Sequence, residues 1–157
     1  MADWQVGFHL APRNLVTARS DLTPTEFANN EFWSEAAFPV DYRQRLAQVA
    51  PPMHSRSAEL EVWGLEDGNR VDVWSEGGRV RRVKVRVDVR RLDSKFGAAL
   101  LTFVRAAGAV LIRSDGLIVE PTIGAYSGAL RSSAAWQFAS DPTDFVIKLS
   151  ASDTDDV

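Results

Sequence analysis

The segment from residue 58 to residue 92 constrains the fold of this chain most, because its apolar residues recur at every second position. A period of two is typical of a β-strand with one buried face. The pairs Asp67-Gly68 and Gly77-Gly78 interrupt the alternation, and both are strong signals for β-hairpin turns. The pattern predicts three antiparallel strands, near residues 58–65, 70–76 and 80–91.

The register of the first hairpin follows from where its polar residues fall. A two-residue turn at 67–68 places Val62 opposite Val73 and Trp63 opposite Asp72. Apolar side chains then face apolar ones and polar side chains face polar ones, as a half-buried sheet requires. We therefore expect two outward-facing rows of side chains: Glu61, Trp74 and Arg82 in one row, and Trp63, Asp72 and Lys84 in the next.

The second hairpin needs a longer connection than its two glycines supply. A two-residue turn at 77–78 would place Arg82 opposite Val73, on the face that the valines bury. A three-residue loop that also includes Arg79 instead pairs Val73 with Val83. We expect this longer loop, together with a β-bulge.

The rest of the chain supplies further strands and several helices. Strict alternation over 4–10 predicts an N-terminal strand, and residues 109–120 predict a short hairpin. Capping and stop signals predict the helix boundaries. The predicted helices begin near Thr23, span 39–50, run from Asp93 or Ser94 to Gly108, span 122–131, and begin at Asp141.

These elements predict an α+β fold. Its sheet is antiparallel or mixed and is built on a three-stranded meander over about 58–92, with helices mainly on one face. The order of strands and helices is compatible with a ferredoxin-like arrangement, among other topologies. At 157 residues the chain has the length of a single domain. We expect an N-terminal part (1–57), a core (58–150) and a frayed acidic tail (151–157).

Composition excludes several classes of function. The chain has no cysteine, which rules out disulfides, thiolate catalysis and cysteine-based metal sites. It has only two histidines and no phosphate-binding or nucleophile motif, so we expect no cofactor, no metal and no catalytic residue. A signal-peptide pattern and a long apolar run are both missing, so we expect a cytoplasmic protein without a membrane segment.

Charge is distributed unevenly along the chain. The net charge is −3, whereas residues 79–91 hold seven basic residues and one acidic residue, a local charge of +6. In the predicted register Arg86 lies opposite Arg70, and like charges in that position destabilise a sheet. We expect compensation from an external acidic partner or from the chain's own acids, namely Glu26, Glu31, Glu35 or the tail.

The outward face of these strands is the expected recognition surface, because tryptophan and arginine are enriched at the energetic centres of protein interfaces. The candidate partner-binding residues are Trp63, Trp74, Arg82, Lys84, Arg86 and Arg90.

Short motifs in the second half of the chain resemble a known pattern. Residues 85–90 precede a predicted helix, and Ser132-Ser133 and residues 138–142 follow later. Together they resemble small uncharacterised bacterial proteins, some of which are immunity-type proteins encoded beside toxins. The resemblance implies a bacterial, cytosolic, non-catalytic protein that neutralises a partner by binding it. It transfers no catalytic residue.

Three functions therefore compete. The leading hypothesis is a protein–protein interaction module that binds an acidic partner and is immunity-like. The alternative is a small-molecule-binding or enzymatic domain whose pocket is lined by the aromatic stretch 27–38, near the N-terminal helices. Nucleic-acid binding ranks third, since only the +6 segment favours it.

Overall fold

A seven-stranded antiparallel sheet organises the protein. The computed structural model describes residues 1–18, 23, 25–26 and 31–140. The strands are β1 (Gln5–Pro12), β2 (Pro52–Met53), β3 (Leu60–Gly64), β4 (Arg70–Glu76), β5 (Arg79–Asp88), β6 (Ala109–Arg113) and β7 (Ile118–Val119). In the sheet they follow the order β2-β3-β4-β5-β1-β6-β7.

Most of the helices are short. They are α1 (Arg13–Thr17), α2 (Tyr42–Leu46), α3 (Ser94–Ala106), α4 (Ile123–Arg131) and α5 (Ala134–Ser140), with a 3-10 turn at Phe32–Ser34. None of these helices has the length and apolar character needed to cross a membrane, within the part of the chain that is described.

The sheet is larger than its predicted core, although the predicted α+β class is confirmed. β1 lies between β5 and β6 and is antiparallel to both, so β5 and β6 run parallel to each other. The connection from β5 through α3 to β6 therefore crosses over β1 as a split β-α-β unit. A ferredoxin-like fold contains two such units. The described residues form one, so the ferredoxin-like arrangement is not confirmed.

The main core lies between the sheet and its helices. Alternate valines of β4 and β5, including Val71 and Val85, are fully buried on this face. The longest helix, α3, covers them with an apolar stripe that includes Leu100 and Phe103. Asp93, one of the two predicted caps, begins this helix. Its carboxylate accepts hydrogen bonds from the backbone N–H groups of Lys95 and Phe96.

The opposite face of the sheet carries a smaller apolar cluster near β6. Ile112 of β6 packs there with Val16 of α1 and Phe32 of the 3-10 turn. The next residue in that turn, Trp33, belongs to the main core instead and donates its indole N–H to the carbonyl of Leu10 over 2.9 Å. The turn therefore contributes side chains to both clusters.

The predicted register of the first hairpin is wrong by one residue. Trp63 pairs with Val71 rather than Asp72, because the connection is a five-residue loop over 65–69 instead of a two-residue turn. Gly64 makes this loop possible because its φ is +111°, a value that residues with a side chain rarely adopt. A shift of one residue moves every side chain of β3 to the other face.

The second hairpin has the predicted register and the predicted bulge. Val73 pairs with Val83 and Trp74 with Arg82. The predicted three-residue loop is wrong, because Arg79 pairs with Glu76 and only the two glycines form the turn. The additional residue is accommodated within β5, where the register shifts between residues 80 and 82.

Several local predictions can be compared with the remaining elements. The predicted cap at Thr23 is confirmed by reciprocal hydrogen bonds with Glu26. The predicted helix over 39–50 is shorter and spans only α2. The predicted helix from Asp141 and the tail over 151–157 lie outside the described residues.

The geometry at Gly64 predicts a costly substitution. A Cβ added there would lie 2.1 Å from the backbone oxygen of Asn69. We expect Gly64→Ala to lower the free energy of unfolding by about 3 kcal/mol, which combines backbone strain with this collision. Gly78→Ala is the matched control, since its φ is also positive but open space surrounds it. It should cost only about 1 kcal/mol. If urea denaturation showed the same loss of unfolding free energy for both variants, the observed loop geometry would be contradicted.

Candidate functional site

The candidate site is the face of the central sheet opposite α3. Pairing of β4 with β5 places Arg70 opposite Arg86, Asp72 opposite Lys84 and Trp74 opposite Arg82. We call the surface formed by these six residues the cationic face. It contains four cations and one carboxylate from the two strands.

A single buried carboxylate holds the cationic face together. Asp72 has no exposed surface, and its Oδ1 accepts a hydrogen bond from Arg70 Nε over 2.6 Å. Its Oδ2 lies 3.6 Å from Arg86 Nη2, which is close enough for an ion pair but too long for a hydrogen bond. Asp72 therefore separates the two arginines that face each other across the strands.

The compensation of Arg86 was expected from more distant acids of the chain or from an external acidic partner. The structure shows instead that Asp72 on the neighbouring strand compensates both Arg70 and Arg86. Among the acids named in the prediction, Glu31 reaches the cationic face and lies 4.0 Å from Arg82.

Compensation of the cationic face is incomplete. The Nε of Arg86 is buried and has no hydrogen-bond partner among the described residues. Lys84 makes no ion pair with any other described residue, although Asp72 lies opposite it. Burial and the charges of Arg86 and Arg82 lower the pKa of Lys84, whereas Asp72 opposes this shift. Burial is the larger cause of this shift, and the two neighbouring arginines add to it.

An aromatic side chain borders the row of cations. The guanidinium of Arg82 lies over the Trp74 ring, 5.1 Å from its centroid. Such a contact orients the arginine and leaves part of its charge available to other groups. The side chain of Arg82 is 39% exposed.

His9 of β1 continues the cationic face on the far side of Lys84, with which it pairs. Burial, together with the charges of Lys84 and Arg82, lowers the pKa of His9 to about 4. The imidazole is therefore neutral at physiological pH. His9 was not among the predicted site residues, because its environment depends on which strands lie beside β1.

Two candidate residues lie away from the cationic face. Trp63 was expected on the outward face, and this is wrong. It is buried in the main core at 4% exposure, where its ring packs edge-on against Tyr42. Arg90 lies beyond the end of β5, over the ring of Trp4 at 3.9 Å, and forms an ion pair with Asp88.

The neighbour of Trp63 on the same face shows why the register is stable. Glu61 points toward the helices, where its carboxylate accepts hydrogen bonds from the Tyr42 hydroxyl and from Arg43. Tyr42 thus packs on Trp63 and also binds Glu61. Since α2 supplies partners for both residues, the observed register leaves neither of them unsatisfied.

A cleft lies beside the N-terminal aromatic residues, as the alternative hypothesis requires. It has a volume of about 340 Å³ and is lined in part by Trp33, Phe38 and Arg79. Residues 27–30 of the predicted aromatic stretch lie outside the described part of the chain, and the aromatic side chains described at 32–38 are largely used in the core. Phe38 packs against Trp33, Tyr42 and Phe103, with ring centroids 4.8 to 5.9 Å apart.

Comparisons of the chain with protein-family models, with curated proteins and with solved structures found no match.

The environment of His9 predicts that stability depends on pH. The unfolded chain protonates a histidine near pH 6.5, whereas folded His9 stays neutral down to about pH 4. The unfolded state therefore binds more protons between these values, so stability falls as the pH falls through this window. Between pH 7.5 and pH 5, we expect the melting temperature of His9→Gln to fall by less than that of the wild type.

The other histidine supplies the control for this measurement. His54 is exposed in the loop after β2, so His54→Gln should keep the pH dependence of the wild type. Identical melting profiles for the wild type and His9→Gln would show that His9 is not protected from protonation.

Proposed function

We propose that this chain is a non-catalytic binding protein whose cationic face docks on an acidic protein surface. The observation that supports this proposal is the row formed by Arg82, Lys84 and Arg86. These residues alternate along one strand, and Arg86 is paired with a carboxylate, Asp72, that already binds Arg70.

The charge balance of the cationic face leaves a surplus. Among the described residues, the four cations Arg70, Arg82, Lys84 and Arg86 lie beside the carboxylates of Asp72 and Glu31, so four minus two gives a net charge of +2. His9 adds no charge at physiological pH, because burial and the neighbouring cations lower its pKa to about 4. Carboxylates of a partner would relieve this surplus.

The spacing of the row suits a protein partner. Alternate residues of a strand lie about 6.8 Å apart, so the three cations span about 14 Å. Trp74 offers an apolar contact beside them, and tryptophan and arginine together are typical of interface hot spots. Opposed charges would accelerate the encounter and fix its orientation.

Nucleic acid is a poorer partner for this face. Binding to a duplex depends on many phosphate contacts, whereas the row offers three cations. The chain as a whole carries a charge of −3, which repels phosphates outside the row. An acidic protein can instead match its carboxylates to the row alone.

The finer form of the proposal is that binding neutralises the partner. It rests on the resemblance to immunity-type bacterial proteins, as does a bacterial origin. The cytoplasmic location remains a prediction from the sequence.

The cleft beside Trp33 and Phe38 favours a second candidate function, the binding of a small molecule. Its volume of about 340 Å³ is near the lower end of the range for ligand pockets. It ranks second, because the indole N–H of Trp33 already bonds to Leu10 and is not available to a ligand.

Charge reversal tests the leading proposal. Poly-L-glutamate serves as a defined acidic polypeptide, and its affinity for the wild type should fall as salt is added. We expect Arg82→Glu to weaken this binding at least tenfold, because it turns an attraction into a repulsion. The variant should fold, since Arg82 is partly exposed.

Arg131→Glu is the matched control, because it makes the same change of charge at an exposed site on α4. It should bind poly-L-glutamate nearly as well as the wild type. Equal weakening by both substitutions would show that only the overall charge matters. A partner captured by the wild type from its native host should be acidic and should be lost with Arg82→Glu.

A further inference from the structure

A separate pocket lies on the helix side of the sheet, remote from the cationic face. It opens between the start of α3 and the first turns of α4 and has a volume of about 240 Å³. An apolar cavity of about 150 Å³ already binds benzene, so this pocket has room for a ring with a short substituent.

The walls of the pocket are largely apolar. Val87, Phe96, Leu101 and Leu130 form its inner part. The pocket is also lined by Ile123, which is 70% exposed and adds an apolar side chain to its rim.

The wall of this apolar pocket carries one tyrosine hydroxyl. Tyr126 is only 8% exposed as a residue, and it lines the pocket. Its hydroxyl oxygen keeps some accessible surface and makes no hydrogen bond with any described residue, so it can bond to a ligand in the pocket. Burial raises the pKa of the Tyr126 hydroxyl and the nearby Asp93 carboxylate raises it further, so the group keeps its proton and can donate it in a hydrogen bond.

Gly97 leaves the space in which this hydroxyl sits. A Cβ at Gly97 would lie 3.2 Å from Cε1 of Tyr126 and 3.8 Å from its hydroxyl oxygen. A larger residue on this turn of α3 would therefore press on the tyrosine ring and narrow the pocket.

The charge around the pocket selects the ligand. Among the described residues that line it, none is basic, and Asp93 is close enough to influence Tyr126. An anion would be repelled, and a cation would lose its hydration against the apolar walls. An uncharged molecule avoids both costs.

We propose that this pocket binds a small uncharged molecule, an apolar ring or branched chain that carries one hydrogen-bond acceptor for Tyr126. This site is independent of the cationic face and does not rest on the function proposed for it.

A series of similar compounds tests the proposal. Acetophenone offers a ring and an acceptor, isopropenylbenzene has the same shape without the acceptor, and benzoate and 1-phenylethylamine carry charge. We expect acetophenone to bind most tightly in ligand-detected NMR titrations of the full chain. Tighter binding of either charged compound, or of isopropenylbenzene, would overturn the assignment.

Two substitutions locate the binding. Tyr126→Phe removes only the hydroxyl, so its melting temperature should equal that of the wild type. It should bind acetophenone about three- to tenfold more weakly and bind isopropenylbenzene with unchanged affinity. Ser127→Phe, which adds a ring at a residue lining the pocket, should abolish the binding of both. If Ser127→Phe does not fold, Tyr126→Phe alone decides. Unchanged acetophenone binding by Tyr126→Phe would overturn the proposal.

Discussion

The buried carboxylate of Asp72 is the interaction on which the centre of the sheet depends. β4 and β5 bring Arg70 directly opposite Arg86, and this pairing alone would push the two strands apart. Asp72 lies one pleat along the same face, where it accepts a hydrogen bond from Arg70 and pairs with Arg86. The valines on the other face of these strands can then form the floor of the main core. A strand as basic as β5 is tolerated at the centre of the sheet because one neighbour carries this acid.

The same interaction leaves the charge that the proposed function uses. One carboxylate divided between two arginines cannot neutralise both, and Lys84 lies beside it without an ion pair to any described residue. The helix side of the sheet has the opposite character, with a pocket whose walls are largely apolar and include the hydroxyl of Tyr126. The two faces therefore favour different ligands: an acidic surface on one side and a small uncharged molecule on the other.

The sequence predicted the register of the second hairpin well because residues 82–88 of β5 alternate strictly, and a shift of one residue would have buried Arg82. The sequence did not predict the register of the first hairpin. The face on which each side chain of β3 lies depends on the positive φ of Gly64 and on the partners that α2 supplies, and neither is visible in a local pattern. The cationic residues of β5 were identified from their spacing alone. The role of Asp72 was missed because its carboxylate binds Arg70 along its own strand and Arg86 diagonally across the strands. Direct cross-strand pairing reveals neither contact.

The stability of Asp72→Asn tests this account most directly, because the substitution keeps the shape of the side chain and removes its charge. We expect the free energy of unfolding to fall by about 3 kcal/mol, since the two arginines would then face each other without compensation. Adding Arg86→Gln to Asp72→Asn should recover part of the loss, so that the double variant is more stable than the sum of the single changes requires. A loss below about 0.5 kcal/mol for Asp72→Asn, or strictly additive effects, would show that Asp72 does not hold these strands together.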